Sequence, residues 1–565
     1  MGIQALKKPC RSILLFVAIV GAAGAAGMQR RPTASPIQFE NAIESSGIDF
    51  ILDNSATPQK HQIETMMAGV AALDFDDDGF LDLYFANGSR LPAMDKSDPK
   101  FYNRLYRNRG DGTFTDVTMQ AGVQGQGYAM GLAAADYDND GLTDIFVAGV
   151  DRNHLFHNNG EGSFSDLTSK AGLEGIHPKY GKTYAVSAGW FDYDNDGWLD
   201  LFLVNYLNWS LGKAPSCEVR GIRAYCSPRS FEGQPNMLFH NNGNGTFTDV
   251  SEASGIGRHI GKGMGVAFAD YNEDGRTDIF VANDTFRNFL FRNDGGGKFS
   301  EVGVVSGAAY NENGKSIAGM GADSRDVDND GKPDLWVVAM IGDTFPLFRN
   351  AGGEFLDITT PAGLAAPTLK LTAWGNGIYD FDNDGWKDLF AATGAILDNS
   401  EQIDELPYRL PNLLLRNQGD GSFRDLSRQA GKGFSMPAAH RGSAAGDFNN
   451  DGRIDLVTTN LNGRPELLLN RSPAKNHWLI LKLIGRGNRD GIGARIKVVA
   501  GKLTQYNHVT TSVGYSSSSD PRTHFGLGAA SVADSIEILW PNGSKQTLRN
   551  IQADRILTVR QKEER

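Results

Sequence analysis

One nine-residue pattern, DxDxDGxxD followed by an apolar run, begins at Asp74, Asp136, Asp192, Asp270, Asp326, Asp380 and Asp447, and it limits the fold more than any other feature of the chain. Successive starts lie 62, 56, 78, 56, 54 and 67 residues apart. That period suits a four-stranded sheet unit with loops of variable length. A second pattern, a hairpin ending in Phe with Gly eight residues later, recurs at 39/47, 114/122, 164/172, 247/255, 299/307, 355/363 and 423/431. The Asn-Gly and Gly-x-Gly steps ahead of most of these Phe residues supply the positive φ angles of a tight hairpin.

Both patterns occur seven times, but they are out of phase at the ends. Phe39 to Gly47 precedes the first acidic loop, whereas the loop at Asp447 is followed by PELLLNRS and no Phe/Gly pair. A ring accounts for this, with FENAIESSG adding the outer strand of the last unit and removing exposed sheet edges. An open solenoid would leave that strand unpaired and would carry polar caps. For the second unit the expected strands are 129–135, 143–148, 154–157 and 163–167, with little helix elsewhere. Inner strands rich in Gly and Ala, such as GYAMGLAAAD and HRGSAAGD, suit a crowded centre.

The expected fold is therefore all-β: a seven-bladed β-propeller with N-terminal strand closure over residues 36–471, then a small β-sandwich over 474–565. SPAKN, residues 472–476, is the expected linker. The final segment alternates apolar and polar residues over short runs and turns at Pro541-Asn542-Gly543, which predicts a compact antiparallel sandwich. Gly491, Gly493, Gly526 and Gly528 read as turn or bulge glycines, since no GxGxxG opens a helix there.

Carboxylates at positions 1, 3, 5 and 9 of each loop can converge on one hard cation, with a backbone carbonyl from position 7 and a sharp bend at the glycine of position 6. The candidate ligands are Asp74, Asp76, Asp78 and Asp82; Asp136, Asp138, Asp140 and Asp144; Asp192, Asp194, Asp196 and Asp200; Asp270, Asn272, Asp274 and Asp278. Asp326, Asp328, Asp330 and Asp334; Asp380, Asp382, Asp384 and Asp388; and Asp447, Asn449, Asp451 and Asp455 complete the set. Asn272 and Asn449 keep the oxygen and lose the charge, so those two loops should bind more weakly. An EF-hand is excluded because position 12, a bidentate Glu there, is apolar here, as at Phe85, Val147 and Leu203. Magnesium is a poorer match, since it holds its water and demands octahedral geometry. Asp and Gly also mark plain turns. Crowded carboxylates, however, repel by about 4 kcal/mol per pair at 4 Å near a surface unless a cation neutralises them. About seven structural Ca²⁺ are expected, and their charge offsets the formal −12 of the chain. A net negative chain also argues against a nucleic-acid partner.

Lys7, Lys8 and Arg11 precede an apolar run at 13–20 and a small-residue stretch ending at Gly27, which reads as an export signal over residues 1–27. The run is short for a membrane span, which needs about 20 residues. No later segment could span a bilayer. Export would place Cys217 and Cys226 where disulfides persist, so they are expected to pair.

With these residues in view the chain resembles the FG-GAP/VCBS-type repeat proteins, whose integrin-like propellers carry such loops, over about 39–470. More specifically it resembles the cartilage acidic protein group, which ends in an ASPIC/UnbV domain. HWLILKLIG, RDGIGARIKVVAG, HFGLG and IEILWPNGSKQTL carry that match, and the insertion around Cys217 and Tyr225-Cys226-Ser227-Pro228 resembles bacterial members. The resemblance implies extracellular calcium binding and adhesion or ligand binding, and it implies no activity. The chain has no RGD tripeptide, so integrin-type recognition is not supported.

Two functions suit such a chain. The first is a non-catalytic binding or adhesion module, secreted, periplasmic or at the cell surface, for an extracellular polysaccharide or protein. Insertions at 87–103, 205–236 and 395–412 would line its face, with Tyr206, Trp209, Arg220, Arg223, Tyr225 and Arg229 as a recognition surface. The same residues could instead form an ordered cover clipped by the disulfide. The alternative function is a propeller-type lyase or hydrolase with structural calcium, although no nucleophile elbow or HExxH is present.

Overall fold

The computed structural model describes residues 37–563, so the export signal expected over residues 1–27 lies outside the described part. Among the described residues no helix is long and apolar enough to cross a membrane. Seven antiparallel sheets of four strands form the bulk of the chain, and within each of the first six the four strands pair in chain order, the third sheet across an insertion with short strands of its own. The second consists of Tyr128–Ala135, Asp144–Val150, His154–Asn158 and Phe164–Asp166, within two residues of the expected limits. In the seventh, Phe39–Asn41 pairs antiparallel with Glu466–Asn470, Phe39 opposite Asn470, beside Asp455–Asn460 and His440–Gly446.

Each acidic loop joins the first strand of a sheet to its second, so all seven lie at one end of the sheets. The long insertions join second strands to third and lie at the other end. First strands are buried throughout, as in Tyr128–Ala135 and Ala185–Phe191, except at Tyr379, the half-buried last residue of Ala373–Tyr379. Their Gly and Ala residues let neighbouring backbones approach. A Cβ on Gly131 would lie 2.3 Å from Val186 O, so any larger residue there would push two sheets apart.

The recurrent Phe/Gly pair joins one sheet to the next. Gly431, at φ +110°, would put a Cβ 2.2 Å from the carbonyl oxygen of Phe39, and Gly47, at φ +80°, would put one 2.7 Å from that of Phe114. Positive φ and close approach together demand glycine. Single-turn helices, Thr118–Ala121, Thr168–Ala171 and Ser251–Ser254, end on these glycines, a feature the sequence patterns do not predict.

The C-terminal segment departs from the expected antiparallel sandwich in one strand pair. Its three-stranded sheet places Thr523–Gly528 and Arg555–Arg560 on either side of His477–Ile484, and the latter two run parallel. A four-stranded sheet of Leu503–His508, Arg495–Ala500, Val532–Leu539 and Lys545–Gln552 completes it. The linker does not hold this domain at a distance. Ser35–Arg565 forms one compact unit.

Candidate cation sites in the acidic loops

The seven loops share one hydrogen-bond pattern, seen first in loop 1. Asp74 accepts the N–H groups of Asp78 and Gly79, both at 3.1 Å, and Asp78 accepts that of Phe80 at 3.0 Å. Asp82 accepts the N–H of Phe75 at 3.1 Å and that of Asn108 at 2.7 Å. The bend needs two left-handed residues: position 4, with φ between +51° at Asp77 and +61° at Asn139, and the glycine at position 6. Asn and Asp tolerate that region better than other side chains, which explains DNDG as the commonest core of the repeat.

Positions 1 and 9 are bound by backbone donors in every loop, so position 3 bears on what else the loop can hold. Asp76 Oδ1, Asp138 Oδ1 and Asp382 Oδ1 are buried with no hydrogen-bond partner. In loops 1 to 3, ligand oxygens of Asp74, Asp76 and Asp82, of Asp136, Asp138 and Asp144, and of Asp192, Asp194 and Asp196 lie within 4.8 Å of one another. These sets are rich in oxygen acceptors, with His157 and His240 also in reach in loops 2 and 3 and an unpartnered oxygen in loops 1 and 2, and they fit a hard divalent cation.

Burial pushes these carboxyls far above the usual carboxylate range. Asp82 and Asp278 rise to about 8, chiefly through desolvation and against the backbone hydrogen bonds that oppose it. Asp136 rises to about 8 through desolvation and the nearby charge of Asp490, and Asp192 to about 7 through desolvation and the charge of Asp200. Asp380, Asp388, Asp334 and Asp455 are raised by burial as well. Without a counter-charge the loops are therefore poor places for carboxylates.

Two groups of functional residues escaped the sequence reading. The first is the Asn at or near the end of each third strand. Asn108, Asn158, Asn241, Asn293, Asn350, Asn417 and Asn470 give their N–H to the position-9 Asp of their own sheet. Their side-chain amides donate to the position-2 carbonyl of the preceding sheet. Asn108 of sheet 1 reaches Phe448 O of sheet 7 at 2.9 Å. The second group is the basic residue just before that Asn. Arg107, Arg349 and Arg416 pair with the Asp residues of loops 1, 5 and 6, and His157 and His240 take that place in loops 2 and 3. In loops 4 and 7, which have Asn at position 3, Arg276 and Arg453 at position 7 fold back on Asp274 and Asp451 instead. The signal was present as a recurrent RN or HN, five residues or more ahead of the hairpin Phe.

At the other end, Cys217 and Cys226 are disulfide-bonded. Tyr206, Trp209 and Tyr225 are buried rather than displayed, at 0, 6 and 5% exposure. They hold the insertion down as a cover. Tyr225 donates to Glu64 at 3.1 Å, Tyr206 to Asp284 at 2.6 Å, and Trp209 packs edge-on against His61. Arg223 donates to Gln59 O. Arg220 and Arg229 are exposed, Arg220 also donating to Ile403 O at 2.6 Å.

Comparison with known proteins adds to this geometry. The FG-GAP-like repeat matches residues 74–147, 136–203, 228–281, 270–337, 326–391 and 380–458, and the ASPIC and UnbV domain matches 485–565. Cartilage acidic protein 1 of Homo sapiens is 25% identical over 511 residues, covering 87% of this chain and 71% of its own. The Xenopus tropicalis protein of the same name is 26% identical over 529 residues, covering 84% and 70%. Among solved structures, an Agrocybe aegerita lectin that recognises non-reducing terminal N-acetylglucosamine aligns at TM-score 0.36 and 16% identity, over 70% of this chain and 87% of that one. The chain belongs to the FG-GAP-like repeat family and carries the ASPIC and UnbV domain at its C-terminal end, the architecture of its homologue cartilage acidic protein 1.

Proposed function

We propose that the chain is an exported, calcium-loaded β-propeller of seven blades, closed on itself, that binds an extracellular polysaccharide or protein without transforming it. The observation that carries the calcium reading is the set of buried, partnerless position-3 oxygens, Asp76 Oδ1, Asp138 Oδ1 and Asp382 Oδ1, inside loops crowded with carboxylates. Hard oxygen donors on a loop with an adaptable backbone suit Ca²⁺. Closure is supported by the Asn clasps, which run from each sheet to the one before it and from sheet 1 back to sheet 7. The ions would act structurally, fixing the first hairpin of each blade.

Binding is assigned to the end that carries the insertions. There Arg220 and Arg229 are exposed, and so are Val219, Ile260 and Phe286, apolar residues 37, 47 and 38% exposed, a mixture suited to a protein or sugar surface.

Elemental analysis and calorimetry test the calcium reading. Protein dialysed free of chelator should retain calcium in several-fold molar excess, and chelated protein should take it up again with heat. A preparation without bound calcium and without a calorimetric response would sink it. Glycan and matrix-protein arrays test the ligand class: saturable binding lost in Arg220→Ala/Arg229→Ala supports the module, and chain cleavage of a bound glycan overturns the non-catalytic part.

A further inference from the structure

Between Leu503–His508 and Thr523–Gly528 the C-terminal domain sends out a segment, residues 509–520, that touches the first strand of every repeat sheet. Ser518 donates its N–H to Val70 O at 3.0 Å and accepts from Ala72 at 2.9 Å. Leu132 donates to Ser516 O at 3.0 Å, and Ser516 Oγ donates to Val186 O at 2.6 Å. Gly514 and Ala322 exchange both backbone bonds, at 2.9 and 3.3 Å. Tyr379 Oη and Ser519 Oγ lie 3.2 Å apart, and Asp520 donates its N–H to Ala445 O at 3.0 Å. A Cβ on Gly265 would lie 2.9 Å from Gly514 O, which accounts for the fourth sheet. Residues 509–519 are all buried. Tyr515 passes to the far end, where its hydroxyl donates to Met66 O at 2.6 Å.

The first strand of each sheet is an edge strand, with outward N–H and C=O groups that no strand of its own sheet satisfies. An extended segment can supply those bonds by adding itself to the edge. Here several edges converge on one segment, which must offer donors and acceptors in several directions from little volume. The sequence SVGYSSSSD does so: each serine hydroxyl both donates and accepts, and Gly514, at φ +78°, admits close backbone approach.

We infer that the middle of the ring is a peptide-binding site for an extended, serine- and glycine-rich segment, and that the C-terminal domain is its ligand, seated in cis. The inference uses the closed ring proposed above and is independent of calcium. The domain is then a stopper that holds by recognition rather than by its linker, and the channel is closed to other ligands while it is seated.

The test is to place a protease site within residues 472–476 of the full-length chain and cleave it under native conditions. The two fragments should co-elute on gel filtration and separate only in denaturant. Ser518→Pro removes the N–H given to Val70 and places a ring against the edge strand. In it, amide exchange at Ala72, Leu132 and Ala322 should accelerate about tenfold, as when an amide loses its partner, and the nicked domain should dissociate. Tyr515→Ala, which leaves the backbone bonds in place, should give a smaller acceleration and serves if Ser518→Pro does not fold. Fragments that part on cleavage alone, or variants whose channel amides exchange as in the parent, would overturn the inference. Rapid exchange at Leu468 and Leu469 in the uncleaved parent, where Phe39–Asn41 pairs, would instead count against the closed ring.

Discussion

At one end of the repeat sheets the first strand always joins the second through the same nine-residue acidic loop with the same hydrogen bonds, while at the other the second-to-third connections range from residues 151–153 to residues 206–236. The two ends also handle charge differently. The cover neutralises its buried groups from within: Glu64 accepts from Thr57, His61 and Tyr225, Lys60 pairs with Asp398 at 2.6 Å, and buried Lys96 donates to three oxygens between 2.7 and 2.8 Å. The acidic end gathers more carboxylates than its Arg and His residues can balance, and burial raises their proton affinity. One end satisfies its buried charges from within; the other keeps buried carboxylate oxygens, Asp76 Oδ1, Asp138 Oδ1 and Asp382 Oδ1, without a partner.

The largest expected effect follows from that contrast. In ion-free protein the carboxyls of Asp82, Asp278, Asp136 and Asp192, raised to between about 7 and about 8, hold protons that the unfolded chain has already released above its ordinary value near 3.8. The folded state binds more protons at these groups in that window, so their contribution to stability is fully present below pH 4 and is lost as pH rises toward 8. Calcium bound as proposed would replace those protons and remove the penalty. The drop in Tm on adding a chelator should therefore be small at pH 5 and large at pH 8, with each occupied site contributing about 2.7 kcal/mol at a hundredfold excess of free ion over its Kd. Hydrogen exchange should locate the loss at the acidic end, and equal loosening of the cover would break the comparison.

Glycines sharpen it next. Gly431, between sheets, combines φ +110° with a 2.2 Å approach to Phe39 O, whereas Gly421, in an outer hairpin at the acidic end, has φ +84° and open space. Gly431→Ala should cost about 3 kcal/mol by adding a clash to the left-handed penalty, and Gly421→Ala only about 1 kcal/mol. Urea midpoints at constant slope measure both. Equal costs would mean that the Phe/Gly pair is a turn signal and nothing more.

What could be read in advance follows the same division. The loops were legible because each ligand set lies within nine residues, and the strand limits of the second sheet followed from its turns. The Asn clasp was visible only as a recurrent residue, since its partner carbonyl, such as Phe448 O for Asn108, is hundreds of positions away. Tyr206, Trp209 and Tyr225 looked like a recognition surface because aromatic and Arg residues mark both interfaces and covers, and burial alone separates the two. Residues 509–520 gave no signal at all, because a polar, aperiodic serine run resembles a surface loop until several strand edges converge on it.

A clasp removed should cost less than a glycine clash. Asn417 donates to Val327 O and Lys387 O at 2.9 and 3.0 Å and accepts from Gly419 at 2.9 Å, all in a buried seam between sheets 5 and 6. Asn417→Ala should lower stability by about 2 kcal/mol, the penalty for unpaired buried carbonyls, and should do so with or without calcium. A chelator-dependent cost would mean that the clasp acts through the loop and not between the sheets.

The smallest effect is expected on the cover. Tyr225→Phe removes the hydroxyl bond to Glu64 and keeps the ring packed, and Glu64 retains Thr57 Oγ1 at 2.6 Å and the His61 N–H at 3.1 Å. The loss should be about 1 kcal/mol, because the remaining donors still satisfy the buried carboxylate. Since the substitution lies at the far end of the sheets from every acidic loop, calcium stoichiometry and affinity by calorimetry should match the parent. A change in calcium affinity greater than about twofold, roughly 0.4 kcal/mol, would show that the two ends are coupled through the sheets and that the charge balance of one is felt by the other.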